Sequence, residues 1–333
     1  YIPGWDCHGL PIEWKIEEEY RKKGRNKDEV PINDFRAECR KFAEHWVDIQ
    51  REEFKRLGIT GNWADPYLTM DFHAERVIAE EFMKFLMNGT LYQGSKPVMW
   101  SPIEQTALAE AEVEYHDKDS FTIWVKFRVQ SDAVGETEPD LDKMDEVEMR
   151  RRELLNAFVV IWTTTPWTMP SNKAVVYGQD VAYGLYEVHD TPEECWARPG
   201  ERYILADKMA ADVLGRARLD DSMWRRLRDV SPDELEGLSL SHPLAGAEGS
   251  NGEWDDLRDF RAADFVSDEE GTGFVHCAPS HGMEEYELYR DLGMLQQVIT
   301  YNVTDDGKFR DDLPFFGGHY ILSRKGGEGT ANK

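Results

Sequence analysis

The sequence predicts an α/β protein in which a mainly helical or α/β portion, residues 1–117, precedes a β-rich domain of the sandwich or barrel type. Apolar residues recur at helical spacing in the first third of the chain, whereas alternating runs rich in β-branched and aromatic residues dominate later. The length of 333 residues suits two domains and is sufficient for a substantial core.

Two helices are predicted in the first portion. The first spans 33–57, where Gly58 follows as a C-terminal cap, and its amphipathic stripe consists of Phe35, Phe42, Trp46, Ile49 and Phe54. The second spans 72–87 and ends at Asn88-Gly89. Its expected inward residues are Val77, Ile78, Phe82, Phe85 and Leu86.

Strands are predicted in the later portion wherever β-branched and aromatic residues form short runs. These runs are 121–129, 157–162, 174–177, 182–188, 203–205 and 273–277. Residues 131–152 are predicted to form a charged surface insertion that is helical near its end, and 326–333 a frayed tail. The chain begins at Tyr1 rather than methionine, which predicts a fragment.

Composition narrows the functional classes. The net charge of −26 argues against general phosphate-backbone binding as the main activity, although a nucleic acid held by a local patch stays open. The basic runs at 21–25 and 225–228 are interpreted as solvated loop or helix surface. No stretch is apolar enough to cross a membrane, and no signal peptide is evident. The four scattered cysteines predict a reducing compartment and no metal site.

Three segments carry residues suited to chemistry. In the first, 4–11, glycines and a proline shape a loop around Asp6 and His8 before a helix. The Asp6 carboxylate there either holds an ammonium group or caps the helix, and the pattern does not separate the two.

The second segment is 162–168 with Asn172 beyond it. A buried strand runs into Thr163, Thr164 and Thr165, and Pro166 stops the ladder, so these hydroxyls are predicted to face a cavity. The simpler interpretation is ordinary strand threonines followed by an Asn turn.

The third segment, 271–286, is predicted as strand, turn and helix. Ser280 suits the N-cap, and Glu284 and Glu285 suit the first helical turn. The functional interpretation places His276, His281 and Glu285 around a polar pocket. His276 and Cys277 should point to opposite faces of the strand.

These segments, with 62–71 and 96–112, resemble the class I aminoacyl-tRNA synthetases, and among them the isoleucyl-tRNA synthetases. The resemblance covers nearly the whole chain, and valyl and leucyl relatives typically carry His-Asp where this chain has His281-Gly282. It implies a partial Rossmann-type catalytic domain at 1–118 and a β-rich, barrel-like inserted editing domain at 119–325. It also implies a cytoplasmic, monomeric parent enzyme that uses ATP with Mg²⁺.

The resemblance further implies two activities. The parent would charge tRNA(Ile) with isoleucine, whereas the insertion would hydrolyse valine from misacylated tRNA(Ile) without metal, cofactor or covalent nucleophile. The His-x-Gly-His and Lys-Met-Ser-Lys-Ser motifs are absent, so this segment alone is not expected to activate isoleucine. A valyl or leucyl type, a free-standing deacylase and a non-catalytic tRNA-binding module are the alternatives.

Residue roles also follow from the resemblance. Thr163, Thr164 and Thr165 would bind the terminal adenosine and the ester and position a water. Trp162, Asn172, His276 and His281 would bind substrate, with Asn172 supporting the strand and His276 excluding isoleucine. Asp6 would hold the isoleucine ammonium in the synthetic site.

Glu285 stands where the family usually has aspartate and where the carboxylate holds the substrate ammonium. One more methylene shifts a carboxylate by about 1.5 Å, so either the pocket compensates or editing is weak. Our hypothesis is that Glu285 keeps the role by folding back.

Overall fold

The fold consists of two compact units, Tyr1–Ser95 and Lys96–Lys333. The computed structural model describes residues 1–117, 119–130, 145–322, 327 and 329–332. Helices dominate the first unit, and a large sheet forms the centre of the second. This agrees with the predicted mixed α/β class, whereas the predicted boundaries at 118/119 and 325/326 stay predictions.

The first unit contains a short parallel strand pair and three long helices. Its elements are β1 (Gly4–Trp5), α1 (Leu10–Lys22), α2 (Ile32–Arg56), β2 (Tyr67–Leu68) and α3 (Phe72–Met87). The predictions of α2 and α3 are confirmed, and Gly58 and Gly89 adopt the positive φ that favours glycine just after each helix. A small core of Cys7, Ala43, Val47 and Met70 lies between the strands and α2.

The predicted inward face of α3 is wrong. Its five apolar residues, at positions 77, 78, 82, 85 and 86, are 38% to 57% exposed, and Ala74 is the buried residue of the helix. On α2, likewise, Ala43 and Val47 are buried, whereas Trp46 and Phe54 of the predicted stripe are exposed. Periodicity identifies an apolar face, but burial requires a second element opposite it.

The second unit begins with the hairpin of β3 (Trp100–Ser101) and β4 (Thr106–Ala107). Further elements follow in this order: β5 (Ile123–Gln130), α4 (Glu146–Glu153), β6 (Phe158–Thr163), β7 (Ala174–Tyr177), β8 (Tyr183–Val188), β9 (Arg202–Ala206), α5 (Ala210–Arg216), β10 (Trp224–Val230), α6 (Pro232–Leu235), β11 (Ser239–Ser241), β12 (Arg258–Ala262), β13 (Phe274–Cys277), α7 (Met283–Asp291) and α8 (Leu295–Val298). All six predicted strands are confirmed. Helix α4 confirms the helical end of the predicted insertion, of which 131–144 lies outside the described residues.

The large sheet is open and mixed. Its strand order is β10-β8-β9-β6-β5-β11-β12-β7-β13, with β6 parallel to β9 and β7 parallel to β12. A barrel would require the two edge strands, β10 and β13, to pair, and within the described residues they do not. The expectation of a barrel-like domain is therefore corrected to an open sheet.

The edge strand β10 was not predicted as a strand. Its arginines interrupt the hydrophobic alternation, and each is paired with carboxylates: Arg225 with Glu187, Arg226 with Asp207 and Asp229, and Arg228 with Glu153 and Glu234. The run at 225–228 is thus neither loop nor helix. Charged side chains at a sheet edge discourage pairing with another chain, which fits an edge strand.

Alternation along β6 and β13 decides which side chains face the site. In β6, Val159 and Ile161 pack into the main core, and Val160 packs on the other side with Tyr203 and Leu205. In β13, Cys277 is buried against Tyr289 of α7. His276 therefore faces away from that cluster, as predicted.

Part of the predicted frayed tail lies within the described residues. Residues 326, 328 and 333 of the predicted frayed tail lie outside the described residues. Thr330–Asn332 instead forms a short 3-10 helix, and the side chain of Asn332 accepts a hydrogen bond from the backbone N–H of Trp167. Among the described residues, no helix combines the length and apolar character that a bilayer span requires.

Candidate active site

A cavity of about 290 Å³ lies in the second unit where β6 and β13 end. The second and third sequence segments form its wall, although Thr168 and His276 are 108 positions apart. The cavity is lined by seven of the predicted site residues: Trp162, Thr163, Thr164, Thr165, His276, His281 and Glu285. The structure thus brings together residues that the sequence indicated separately.

The three threonines do not form an ordinary strand. Thr163 ends β6, and its hydroxyl accepts a hydrogen bond from the backbone N–H of Thr165 at 3.1 Å. This local bond turns the chain ahead of the 3-10 helix Pro166–Ser171, so Thr164 and Thr165 leave the ladder and are exposed. As predicted, all three threonines line a cavity.

A buried hydrogen-bond chain fixes the protonation of His276. The amide nitrogen of Asn172 donates to the carbonyl of Ala174 at 2.7 Å and contacts His276 Nδ1 at 2.7 Å. Since an amide nitrogen only donates, Nδ1 is the acceptor and the proton of the neutral ring lies on Nε2. Reversing the amide would set two oxygens, Asn172 Oδ1 and the Ala174 carbonyl, against each other.

The chain continues from His276 to the threonines. Nε2–H donates to Thr168 Oγ1 at 2.9 Å, and Thr168 in turn donates to the carbonyl of Thr165 at 2.8 Å. Asn172 does not line the cavity itself but supports the wall from behind. His276 therefore has both ring nitrogens occupied by neighbours.

Both histidines of the cavity are neutral near pH 7. Burial, with a smaller contribution from His281, lowers the pKa of His276 to about 3. Burial alone lowers the pKa of His281 to about 4. His281 contacts the Ser171 hydroxyl at 3.2 Å and packs edge-on against Trp167. These rings are shaped walls and not cations.

Glu285 is the acidic group of the cavity. It lies in the first turn of α7, where its carboxylate is favoured by the helix N-terminus, and burial raises its pKa above the ordinary value. Within the described part of the chain, no lysine or arginine forms an ion pair with it. Glu285 is thus a half-buried carboxylate with no cationic partner among the described residues.

Part of the lining was not predicted from the sequence: Trp167, Thr168, Val275, Ala278 and Gly282. A signal existed for Thr168, which follows Thr165 by one turn of a 3-10 helix. The predicted N-cap at Ser280 is wrong. Gly282 is the N-cap of α7, and the Ser280 hydroxyl instead accepts a hydrogen bond from the backbone N–H of Thr300 and contacts the Thr300 hydroxyl.

Asp6 lies in the first unit and is exposed, directly after β1. It does not cap α1, whose N-cap is Gly9. A cavity of about 710 Å³ in this unit is lined by Cys7, His8 and Gly9 of the same loop, but not by Asp6. Among the described residues, no group of His, Cys, Asp and Glu is arranged to hold a metal ion.

Comparison with known proteins identifies the family. The family model for class I tRNA synthetases (I, L, M and V) matches residues 1–267. The chain belongs to this family. Its relatives in the class I synthetase family include the isoleucine–tRNA ligase of Ruegeria pomeroyi, which is 75% identical over 333 residues, covering 100% of this chain and 32% of that protein.

More distant relatives carry the same name. The isoleucine–tRNA ligase of Mesorhizobium japonicum is 48% identical over 353 residues, covering 100% of this chain and 34% of that protein. The chain therefore spans about a third of the length of the curated relatives it matches. A solved P. falciparum cytosolic leucyl-tRNA synthetase editing domain is 10% identical with a TM-score of 0.36, covering 56% of this chain and 72% of that one.

Proposed function

We propose that the chain is part of an isoleucine–tRNA ligase and that the cavity hydrolyses valine from misacylated tRNA(Ile). Family membership and the high identity to isoleucine–tRNA ligases support the first part. The observation that carries the second is one cavity that holds the carboxylate of Glu285, which no described lysine or arginine pairs with, together with a row of threonines. A single methylene gives too little selectivity for valine rejection at one site, a problem for which this family is the standard example.

Glu285 receives the α-ammonium group of the ester. Burial disfavours its carboxylate charge, as the raised pKa indicates. A bound ammonium compensates that charge and forms a charge-assisted hydrogen bond. The cavity therefore prefers an aminoacyl ester, which carries this ammonium group, to tRNA without an attached amino acid.

The hydroxyls of Thr163, Thr164 and Thr165 bind the terminal adenosine and the ester and orient the attacking water. Thr164 and Thr165 are exposed at the cavity and available to a ligand. Water attacks the ester carbonyl, and the ribose hydroxyl leaves as valine is released. Fixed polar groups around the carbonyl lower this barrier because they are oriented before the reaction.

His276 contributes shape to this reaction and not proton transfer. Its Nδ1 accepts from Asn172 and its Nε2–H donates to Thr168, so no nitrogen is free to act as a base. A ring held at both nitrogens is a rigid floor, which suits the exclusion of the larger isoleucine side chain. Trp162 and His281 complete the wall of the pocket.

The first unit would belong to the synthetic site. Asp6 would hold the ammonium of isoleucine, on a loop whose Cys7 N–H donates to Thr69 Oγ1 at 2.8 Å. We also propose domain limits of 1–118 for the Rossmann-type part and 119–325 for the editing insertion. ATP and Mg²⁺ would serve the longer protein, a cytoplasmic monomer, and no step of the hydrolysis involves them.

The test is hydrolysis of Val-tRNA(Ile) against Ile-tRNA(Ile) by this chain. We expect selective loss of valine and a strong reduction in Glu285→Ala. Glu284→Ala is the matched control, because Glu284 is exposed on the same helical turn and does not line the cavity.

Three outcomes contradict the proposal. A folded chain that hydrolyses neither ester lacks the proposed activity. Equal hydrolysis of both esters contradicts the proposed selection of valine against isoleucine. Cleavage restricted to misacylated tRNA(Val) or tRNA(Leu) points to a valyl or leucyl type. If Glu285→Ala retains full activity while the chain is selective, the role of Glu285 alone is wrong.

A further inference from the structure

Gly282 and Glu285 occupy the same space at the start of α7. Gly282 is the N-cap, and Glu285 is the third residue of the helix. The Glu285 side chain folds back so that a Cβ added at position 282 would lie 2.7 Å from its Oε1 and closer still to Cδ and Oε2. A glutamate at this helical position characteristically reaches back toward the N-cap.

The backbone itself does not require glycine at position 282. Its φ of −106° and ψ of 140° lie in the extended region, which any residue adopts. Serine, aspartate or asparagine would cap the helix at least as well, and no side chain among the described residues caps α7. The carboxyl group of Glu285 is therefore the neighbour that a side chain at position 282 would displace.

We propose that Gly282 is a positioning residue. Because it has no side chain, it leaves the space that the Glu285 carboxylate occupies at the cavity wall. This inference rests on the proposed function of the cavity. A glutamate is longer than an aspartate by one C–C bond, about 1.5 Å. Folding back over Gly282 takes up that length, so that the longer residue serves where the family usually has aspartate.

The experiment combines Gly282→Ala with Glu285→Asp in this chain and measures hydrolysis of Val-tRNA(Ile). A carboxylate displaced by about 1 Å can lose on the order of 100-fold in rate, which is the loss expected in Gly282→Ala. The double variant should recover to near the rate of Glu285→Asp alone, because the shorter aspartate side chain does not extend over position 282. Gly282→Ser should fail like Gly282→Ala, although serine is a good N-cap.

The matched control is Gly215→Ala in α5, since a Cβ there meets no atom of the described residues within 4 Å. Melting temperatures give a readout that does not depend on activity. Gly282→Ala should lower the melting temperature more when residue 285 is Glu than when it is Asp. That comparison stands even where Glu285→Asp is itself inactive.

The outcomes separate the two proposals. If the wild-type chain hydrolyses no ester, the proposed function fails. The comparison of melting temperatures still decides whether Gly282 positions Glu285. If the chain is active and Gly282→Ala retains its rate, the positioning role is wrong. If Gly282→Ala lowers the melting temperature equally in the wild-type and Glu285→Asp backgrounds, the steric argument is overturned as well.

Discussion

Asn172→Asp should invert the hydrogen-bond chain behind the cavity. Asn172 is buried and donates from one amide nitrogen to Ala174 and to His276 Nδ1. An ionised aspartate of the same shape has only acceptor oxygens. His276 must then carry a proton on Nδ1, and the Ala174 carbonyl loses its amide donor and faces a carboxylate.

The size of the effect follows from the bonds that are lost. Leaving the Ala174 carbonyl without this donor costs about 1–3 kcal/mol. A ring that keeps only Nδ1–H must accept at Nε2 from Thr168, whose hydroxyl then leaves the Thr165 carbonyl at a cost of about 1 kcal/mol. The free energy of unfolding of the second unit should therefore fall by about 2–4 kcal/mol.

The alternative response of the variant is protonation of His276. Pairing with the new carboxylate would raise the pKa of His276 from about 3 toward the neutral range. In either response, Nδ1 gains a proton that it does not carry in the wild-type protein. The protonation state is therefore the sharper observable, and the loss of stability is the second.

Urea unfolding and long-range ¹H–¹⁵N correlation spectra of the histidine rings test this prediction. The wild-type spectrum should show His276 protonated at Nε2, and the variant should show a proton on Nδ1. Asn251→Asp, at an exposed position of the same unit, is the control and should change neither observable. An unchanged free energy of unfolding together with a retained Nε2–H tautomer would refute the assigned network.

Three further predictions concern stability. Burial holds the folded-state pKa of His242 and His276 at about 3 and of His281 at about 4, below the value of about 6.5 in an unfolded chain. The unfolded chain thus binds more protons than the folded chain below pH 6.5. The contribution of the three histidines to the free energy of unfolding is therefore complete above pH 6.5. It is lost as the pH falls towards 4, by about 1.4 kcal/mol per pH unit for each ring. Chemical denaturation across that range checks the sign, and rising stability on acidification would contradict it. Tyr183→Phe should cost about 1–3 kcal/mol in the same assay, because the buried Tyr183 hydroxyl donates to the Gly273 carbonyl and accepts from the Gly178 N–H. Arg226→Ala should lower the free energy of unfolding by at most about 1 kcal/mol and leave tRNA binding unchanged in a filter assay. The reason is that this exposed arginine is already paired with two aspartates. A clear loss of tRNA affinity would instead show that the edge strand is a binding surface.

The strands and helices were predictable because their signals are local. Periodicity located α2 and α3, and the β-branched runs located β5, β6 and β13. Strand β10 was missed because its three arginines suppress the alternation, and they are tolerated because the strand lies at a sheet edge. The N-cap at Gly282 was missed because glycine offers no side-chain signal at that position.

The sequence by itself determined the family and the residue types of the site, because each motif consists of residues that are adjacent in the chain. It located the row of threonines, the histidine pair and Glu285. Only the tertiary structure decided that they share one cavity, that Asn172 acts from behind His276, and that Gly282 makes room for Glu285. It also decided that the sheet stays open and that one face of α3 is exposed. Those facts depend on pairings between residues far apart in the chain, which no local pattern encodes.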